Sequence, residues 1–239
     1  MIPIFKRELH AYFISPVGYI FIIVFLLVSG VIFYFTNILA NESADITFYF
    51  LCIIFTFIVL IPLLTMRLLS EERRTKTEQM LLTAPVSLSG VIIAKFLAAF
   101  ILFASTMLVS CLNFYVLYRF AATPGQTNTA VLVGNVISVL LIGAAFIAIG
   151  LFISAMTENQ LIAAIMSIAT IFFLLISGLF FGTVKNIVVR RVVDFVSIFS
   201  RFSAFTYGIF DISSIIYYAS IVIIFLFLTI RIYEMRRWQ

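Results

Sequence analysis

The chain has 239 residues, of which 64% are hydrophobic and only 10% charged, with a net charge of +5 and a mean hydropathy of +1.24. A soluble globule of this composition would present an apolar surface to water, so the composition excludes one and places the chain in a membrane. A helical span needs about 20 apolar residues, and uncharged runs of that order lie at roughly 14–40, 46–66, 96–118, 129–156, 161–183 and 213–230. Runs such as Ile20 to Val28 are apolar on every face, whereas a barrel strand would alternate. The expected fold class is all-α, a polytopic membrane protein whose six transmembrane helices form one domain over residues 1–239.

In chain order, residues 1–15 place Phe5, Leu9, Tyr12 and Phe13 at i, i+4, i+7 and i+8, with Lys6, Arg7 and His10 turned away. That is the pattern of a helix lying along a membrane surface. Pro16 and Gly18 allow a bend into the first span, so the segment reads as an elbow helix, with an ordinary basic flank as the plainer alternative. No small-x-small cleavage site follows early, and the first apolar run is expected to be retained as a span. Cys52 and Cys111 both fall within expected spans and read as small buried hydrophobes.

Between the second and third spans lies the one strongly charged stretch, Arg67 to Lys95. Thr75-Lys76-Thr77-Glu78 matches a capping box, which predicts a short helix from there to Ala84; Pro85 ends it and Ser87 can cap the next helix. Met80, Leu81 and Leu82 would waste apolar area in water, each aliphatic side chain being worth about 1.5–3 kcal/mol when fully buried. Either a partner's groove receives them, with Glu71, Glu72, Arg73, Arg74 and Lys76 as rim charges, or the loop folds back over its own helix ends.

Farther along, Gly178 and Gly182 form a G-x-x-x-G that permits close helix approach, within one subunit or to a second copy. Residues 183–212 are the longest segment outside the spans. There Val189, Val192, Val193, Val196 and Phe199 keep a helical period against Arg190, Arg191, Asp194 and Ser197, predicting an amphipathic segment on the outer interface. If both termini are cytosolic, inner segments hold ten basic residues, from Lys6 to Arg237, and outer ones five: Arg119, Lys185, Arg190, Arg191 and Arg201. The two-to-one excess orients the bundle that way.

No G-x-x-x-x-G-K-[ST], H-E-x-x-H or G-x-S-x-G occurs, and His10 is the sole histidine, so no catalytic residue, metal site, cofactor site or nucleic-acid partner is expected in this chain. The expected spans contain essentially no ionisable group, which argues against a proton-coupled carrier and for a device driven from outside the bilayer. Asn113, Asn135, Ser110, Ser138, Ser167 and Ser177 are expected to bond between helices.

Two motifs carry a resemblance. Glu71-Glu72, then Thr75 through Pro85-Val-Ser87, then Lys95-Phe96, is similar to the segment between spans two and three of type-2 ATP-binding-cassette (ABC-2) transporter permeases, nearest the branch of the gliding-motility and nitrous-oxide-reductase-accessory permeases. The second motif is Phe202, Gly208-Ile-Phe-Asp211 and Tyr217, with the Arg236-Arg237-Trp238 finish. Departures include Lys76 where glycine is usual, Ala94 before Lys95, Tyr207 for a frequent basic residue and Ser214 for a frequent acid.

The resemblance implies a permease subunit of an exporter in the cytoplasmic (inner) membrane, in contact with membrane lipid and paired as a homodimer or with a similar second permease. A separate cytosolic ABC ATPase would bind the ATP and Mg. It implies a coupling helix over 70–85 that docks the ATPase through Glu71, Glu72, Thr75, Thr77, Glu78, Met80, Leu81, Leu82 and Pro85. The elbow would add a secondary contact through Phe5, Arg7 and Leu9. The alternative function is a membrane anchor or mechanical subunit of a cell-envelope complex that transports nothing.

Overall fold

The computed structural model describes residues 2–39, 46–77, 87–115, 129–179, 197–206, 208 and 211–237. Nine α-helices occur among them: α1 (Ile2–Ile14), α2 (Pro16–Phe33, continued by a π-helical turn, Tyr34–Ile38), α3 (Ile46–Thr65), α4 (Ser70–Arg74), α5 (Leu88–Ser110), α6 (Thr129–Met156), α7 (Gln160–Leu179), α8 (Ile198–Thr206) and α9 (Ile212–Arg237). Among the described residues, six segments are long and apolar enough to cross a membrane: Pro16–Ile38, Ile46–Arg74, Leu88–Tyr115, Thr129–Met156, Gln160–Ser177 and Ile212–Arg237.

These match the six expected runs, with three extensions, the first in the second span, which runs on to Arg74 instead of stopping near 66. The third span begins at Leu88 instead of residue 96, and the last runs on to Arg237 instead of stopping at 230. Lys95 and Arg231 interrupt the apolar runs without ending the helices, because each finds a carboxylate: Lys95 meets Glu8 and Glu72, and Arg231 meets Glu234 one turn on.

Helix α6 is the axis of the bundle and packs against α3, α5, α7, α8 and α9. It can be central because its face toward α3 is small. A Cβ on Gly150 would lie 2.3 Å from Thr65 Oγ1, so the Thr65 side chain packs into the space that a glycine leaves. At the other turn of the chain, Gly18 sits against the end of α1, where a Cβ would fall 2.1 Å from the Tyr12 carbonyl oxygen; this close approach is what folds the elbow back on the first span.

The two ends of the bundle are built differently. At one, Phe33, Tyr49, Phe50 and Phe114 interlock, with Tyr49 edge-on to Phe114 at 4.9 Å and Phe50 stacked on it at 5.5 Å. The Tyr49 hydroxyl shares a 2.7 Å hydrogen bond with Ser110 across α3 and α5. Of the span residues expected to bond between helices, Ser110 does so. Ser177 and Asn135 instead bond carbonyls of their own helices, at Leu174 and Val131, and buried Ser138 and Ser167 have no hydrogen-bond partner for their hydroxyls.

The second sequence motif gains a physical meaning near α8 and α9. Gly208 takes a positive φ of 72°, and a Cβ there would lie 3.4 Å from the Ala130 backbone, while Asp211 caps α9 by accepting the amides of Ser213 and Ser214 at 3.0 and 3.1 Å and the Ser214 hydroxyl at 2.6 Å. The hydroxyl bond from Ser214, helped by these amides, holds the Asp211 carboxyl below its usual range. Arg201 lies over the Tyr217 ring at 4.5 Å and donates to Ser213.

Candidate functional site at the charged end of the bundle

The opposite end gathers α1, the end of α3, α4, the start of α5 and the ends of α6 and α9. Helix α1 is seated there by its apolar stripe: Tyr12 is buried, and Phe5 and Leu9 pack, half-buried, against the core. The Tyr12 hydroxyl points at the Leu64 carbonyl at 3.5 Å, and burial pushes its pKa far up. Glu8 shares the stripe, three residues after Phe5 and four before Tyr12, and is therefore carried inward with it.

There it meets Lys95, which α5 holds only 2% exposed. Lys95 Nζ lies 3.2 Å from Glu8 Oε2 and 2.8 Å from Glu72 Oε1. Arg7, on the exposed side, donates to the other Glu8 oxygen at 2.8 Å, and this bond raises the Arg7 pKa. Burial opposes ionisation of Glu8, but Lys95 and Arg7 together outweigh it and hold the carboxyl below its usual range.

Helix α4 is one short turn and a half, and its position is fixed from outside itself. Its first amides, on Leu69 and Ser70, donate to Ser154 Oγ of α6 at 3.2 and 3.1 Å, and that hydroxyl donates to the Met66 carbonyl at 3.2 Å. A side chain from another helix thus does the work of an N-cap. Arg67 holds Glu71 in a bidentate pair at 2.8 and 2.7 Å. Arg73 reaches back to the Met156 carbonyl at 3.0 Å and to Glu158 at 2.8 Å, and Arg236 of α9 donates to the Ala155 carbonyl at 2.7 Å. Two guanidiniums therefore satisfy the open carbonyls at the C-terminus of α6, where positive charge is favoured.

Thr75 closes α4: its hydroxyl donates to the Glu71 carbonyl at 2.9 Å and contacts the Thr77 hydroxyl at 3.0 Å. The next residue, Lys76, has φ +59°, the left-handed conformation that glycine ordinarily supplies after a helix. Glu8, Tyr12, Arg67, Glu71, Glu72 and Lys95 line a cavity of about 310 Å³ between the elbow and α4.

Of the residues expected to form the docking site, Glu71, Glu72, Thr75 and Thr77 are brought together here, the two threonines exposed and Glu72 turned inward to Lys95 instead of standing at a rim. Glu78, Met80, Leu81, Leu82 and Pro85 lie outside the described residues, as does Gly182, while Gly178 falls in the last turn of α7. Most of the outer amphipathic segment also lies outside them, including Val189 to Val196.

Sequence reasoning missed Glu8, Lys95 as its partner, and Ser154. The first two did leave a signal: an acid on the apolar stripe of the elbow, and a single lysine within the apolar run of the third span. Ser154 left none, since a serine in a span ordinarily bonds back to its own helix.

The chain is a multi-pass membrane protein by its six apolar helices. No curated protein matches it. The sequence model of the family described as ABC-2 family transporter protein matches residues 17–233, from the first span into the last, and the chain accordingly belongs to the ABC-2 transporter family, the membrane permease component of ABC systems.

Proposed function

We propose that this chain is the permease subunit of an ABC exporter, and that a separate cytosolic ATPase docks on the charged end of the bundle. In this reading both termini face the cytosol, the protein lies in the cytoplasmic membrane, and it pairs with a second copy or a similar permease. The observation that carries it is the way α4 is anchored. Ser154, Arg73 and the Glu72–Lys95 pair fix the root of the 75–87 connection to two other helices, α6 and α5, so a push delivered there must reach the spans.

Segment 70–85 then serves as the coupling segment, with Met80, Leu81 and Leu82 offered to a groove of the ATPase and Thr75 and Thr77 at its edge. Closure of two ATPase subunits on ATP would pull this segment and reweight inward-open against outward-open states, provided that the nucleotide states bind the two conformations unequally. Among the described residues, Lys95 and Arg231, the charges that interrupt the apolar runs, are each paired with a carboxylate, which supports a drive from outside the bilayer.

The test is co-purification from native membranes followed by an assay of ATP hydrolysis. Replacing Leu81 and Leu82 together by Asp should leave the protein in the membrane and abolish association with its ATPase. An unimpaired, fully active complex from that double variant would refute the docking role, and a wild-type chain that associates with no ATPase would favour the anchoring alternative.

A further inference from the structure

We infer that Glu8, Lys95 and Glu72 form an ionic latch that makes the elbow, the third span and the root of the coupling segment move as one part, with Lys95 as its positioning residue. This rests on the ATPase-docking reading above. Lys95 is almost wholly buried, and its two carboxylates come from different elements, α1 and α4. Lys95 is the cation both acids share: Glu8 has Arg7 as well, on the exposed side of the elbow, whereas the second oxygen of Glu72 is buried without a hydrogen-bond partner, so moving Lys95 away strands the Glu72 carboxylate.

The fold itself does not require the latch. Tyr12, Leu9 and Phe5 already seat the elbow by apolar contact, and α4 is already held by Ser154 and Arg73. A buried ion group of this kind can often be replaced by neutral side chains of similar volume without loss of stability, and its best-attested use is to fix one arrangement over others. What the triad adds is a fixed register between α1 and α4, which are otherwise separated by the 310 Å³ cavity. With the triad intact, displacement of α4 carries the elbow, and with it the start of the first span, along with the third. With the triad neutralised, the cavity lets α4 move alone.

The experiment compares wild type with the neutral triad Glu8→Gln, Lys95→Met, Glu72→Gln, and with Lys95→Arg as the conservative variant. Spin labels on cysteines replacing the exposed residues His10 and Arg74, in a background without Cys52 and Cys111, report the elbow-to-α4 distance by pulsed dipolar spectroscopy. The neutral triad should keep its melting temperature, broaden that distance distribution, and lower permease-stimulated ATP hydrolysis by about tenfold, a coupling of ordinary size. Lys95→Arg should restore a narrow distribution and most of the stimulation.

A neutral triad with an unchanged distance distribution overturns the latch, whether or not an ATPase associates. An altered distribution with undiminished stimulation overturns its role in coupling. Failure of the wild-type chain to associate with any ATPase sinks the proposed function instead, and the distance measurement still decides whether the latch exists.

Discussion

The hydroxyl of Ser154 accepts the backbone amide of Ser70 at 3.1 Å, joining positions 84 residues apart in sequence. The same oxygen accepts the Leu69 amide, so one side chain of α6 satisfies two donors at the start of α4 that have no partner within their own helix. Both serines are buried, and water cannot substitute.

Ser154→Ala is therefore expected to cost more than a usual serine truncation. Each stranded amide carries a desolvation cost of about 1–3 kcal/mol, so the variant should melt clearly below wild type in detergent. Ser105→Ala is the control. Ser105 is exposed and bonds only the Leu102 carbonyl of its own helix, and its loss should stay within about 0.5 kcal/mol. Equal melting temperatures for the two variants would contradict the capping role.

Lys76 offers a prediction of opposite sign. Its φ of +59° is left-handed, and a lysine held there bears a strain of about 1 kcal/mol that glycine avoids. Lys76→Gly should therefore stabilise the protein by about that amount, less the entropy that glycine adds to the unfolded chain. Lys76→Val, β-branched, should destabilise it. Thermal unfolding of the two variants beside wild type checks both signs.

How much of this was legible in the sequence depended on the range of the interaction. The six spans were readable because hydropathy is a local sum over about 20 residues, and the elbow because its stripe repeats within four turns. The resemblance marked Lys76 as a departure from glycine, and the backbone there takes the left-handed conformation that glycine adopts without strain. The roles of Glu8 and Lys95 were not readable, since 87 residues separate them and each alone looks like a solvated charge at a helix end. For the same reason charges were taken as the ends of spans three and six, although Lys95 and Arg231 both lie inside the helices. The capping box at Thr75 also looked forward along the chain, whereas the described hydrogen bonds of Thr75 run back to α4.

The Glu8 carboxyl makes a prediction about acid. Its pKa is depressed in the folded state, so the stability it contributes is complete above the unfolded carboxylate pKa of about 4.3 and is lost as pH falls through the lower folded value. The melting-temperature difference between wild type and Glu8→Gln should be constant from pH 5 to 7 and should shrink below about pH 4. A difference that instead shrinks between pH 7 and 5 would mean that Glu8 is not held ionised by Lys95 and Arg7.

The elbow bend yields the last prediction, because Gly18 and Gly30 lie in the same helix and face different surroundings. A Cβ on Gly18 would sit 2.1 Å from the Tyr12 carbonyl oxygen and 2.9 Å from its carbon, both backbone atoms that no rotamer change can move. Alanine there must push α1 off the first span. Since Glu8 and Tyr12 ride on α1, the displacement also pulls at the Lys95 pair and at the contact with Leu64. A Cβ on Gly30 meets nothing within 4 Å, and alanine at that point gains up to about 1 kcal/mol of helix propensity. Gly30→Ala should thus match or exceed wild-type stability, while Gly18→Ala should lose about 1–3 kcal/mol by overpacking. In the labelled His10/Arg74 pair, Gly18→Ala should also shift the distance distribution while Gly30→Ala leaves it in place. A neutral Gly18→Ala would mean that the elbow is not folded tightly on the first span.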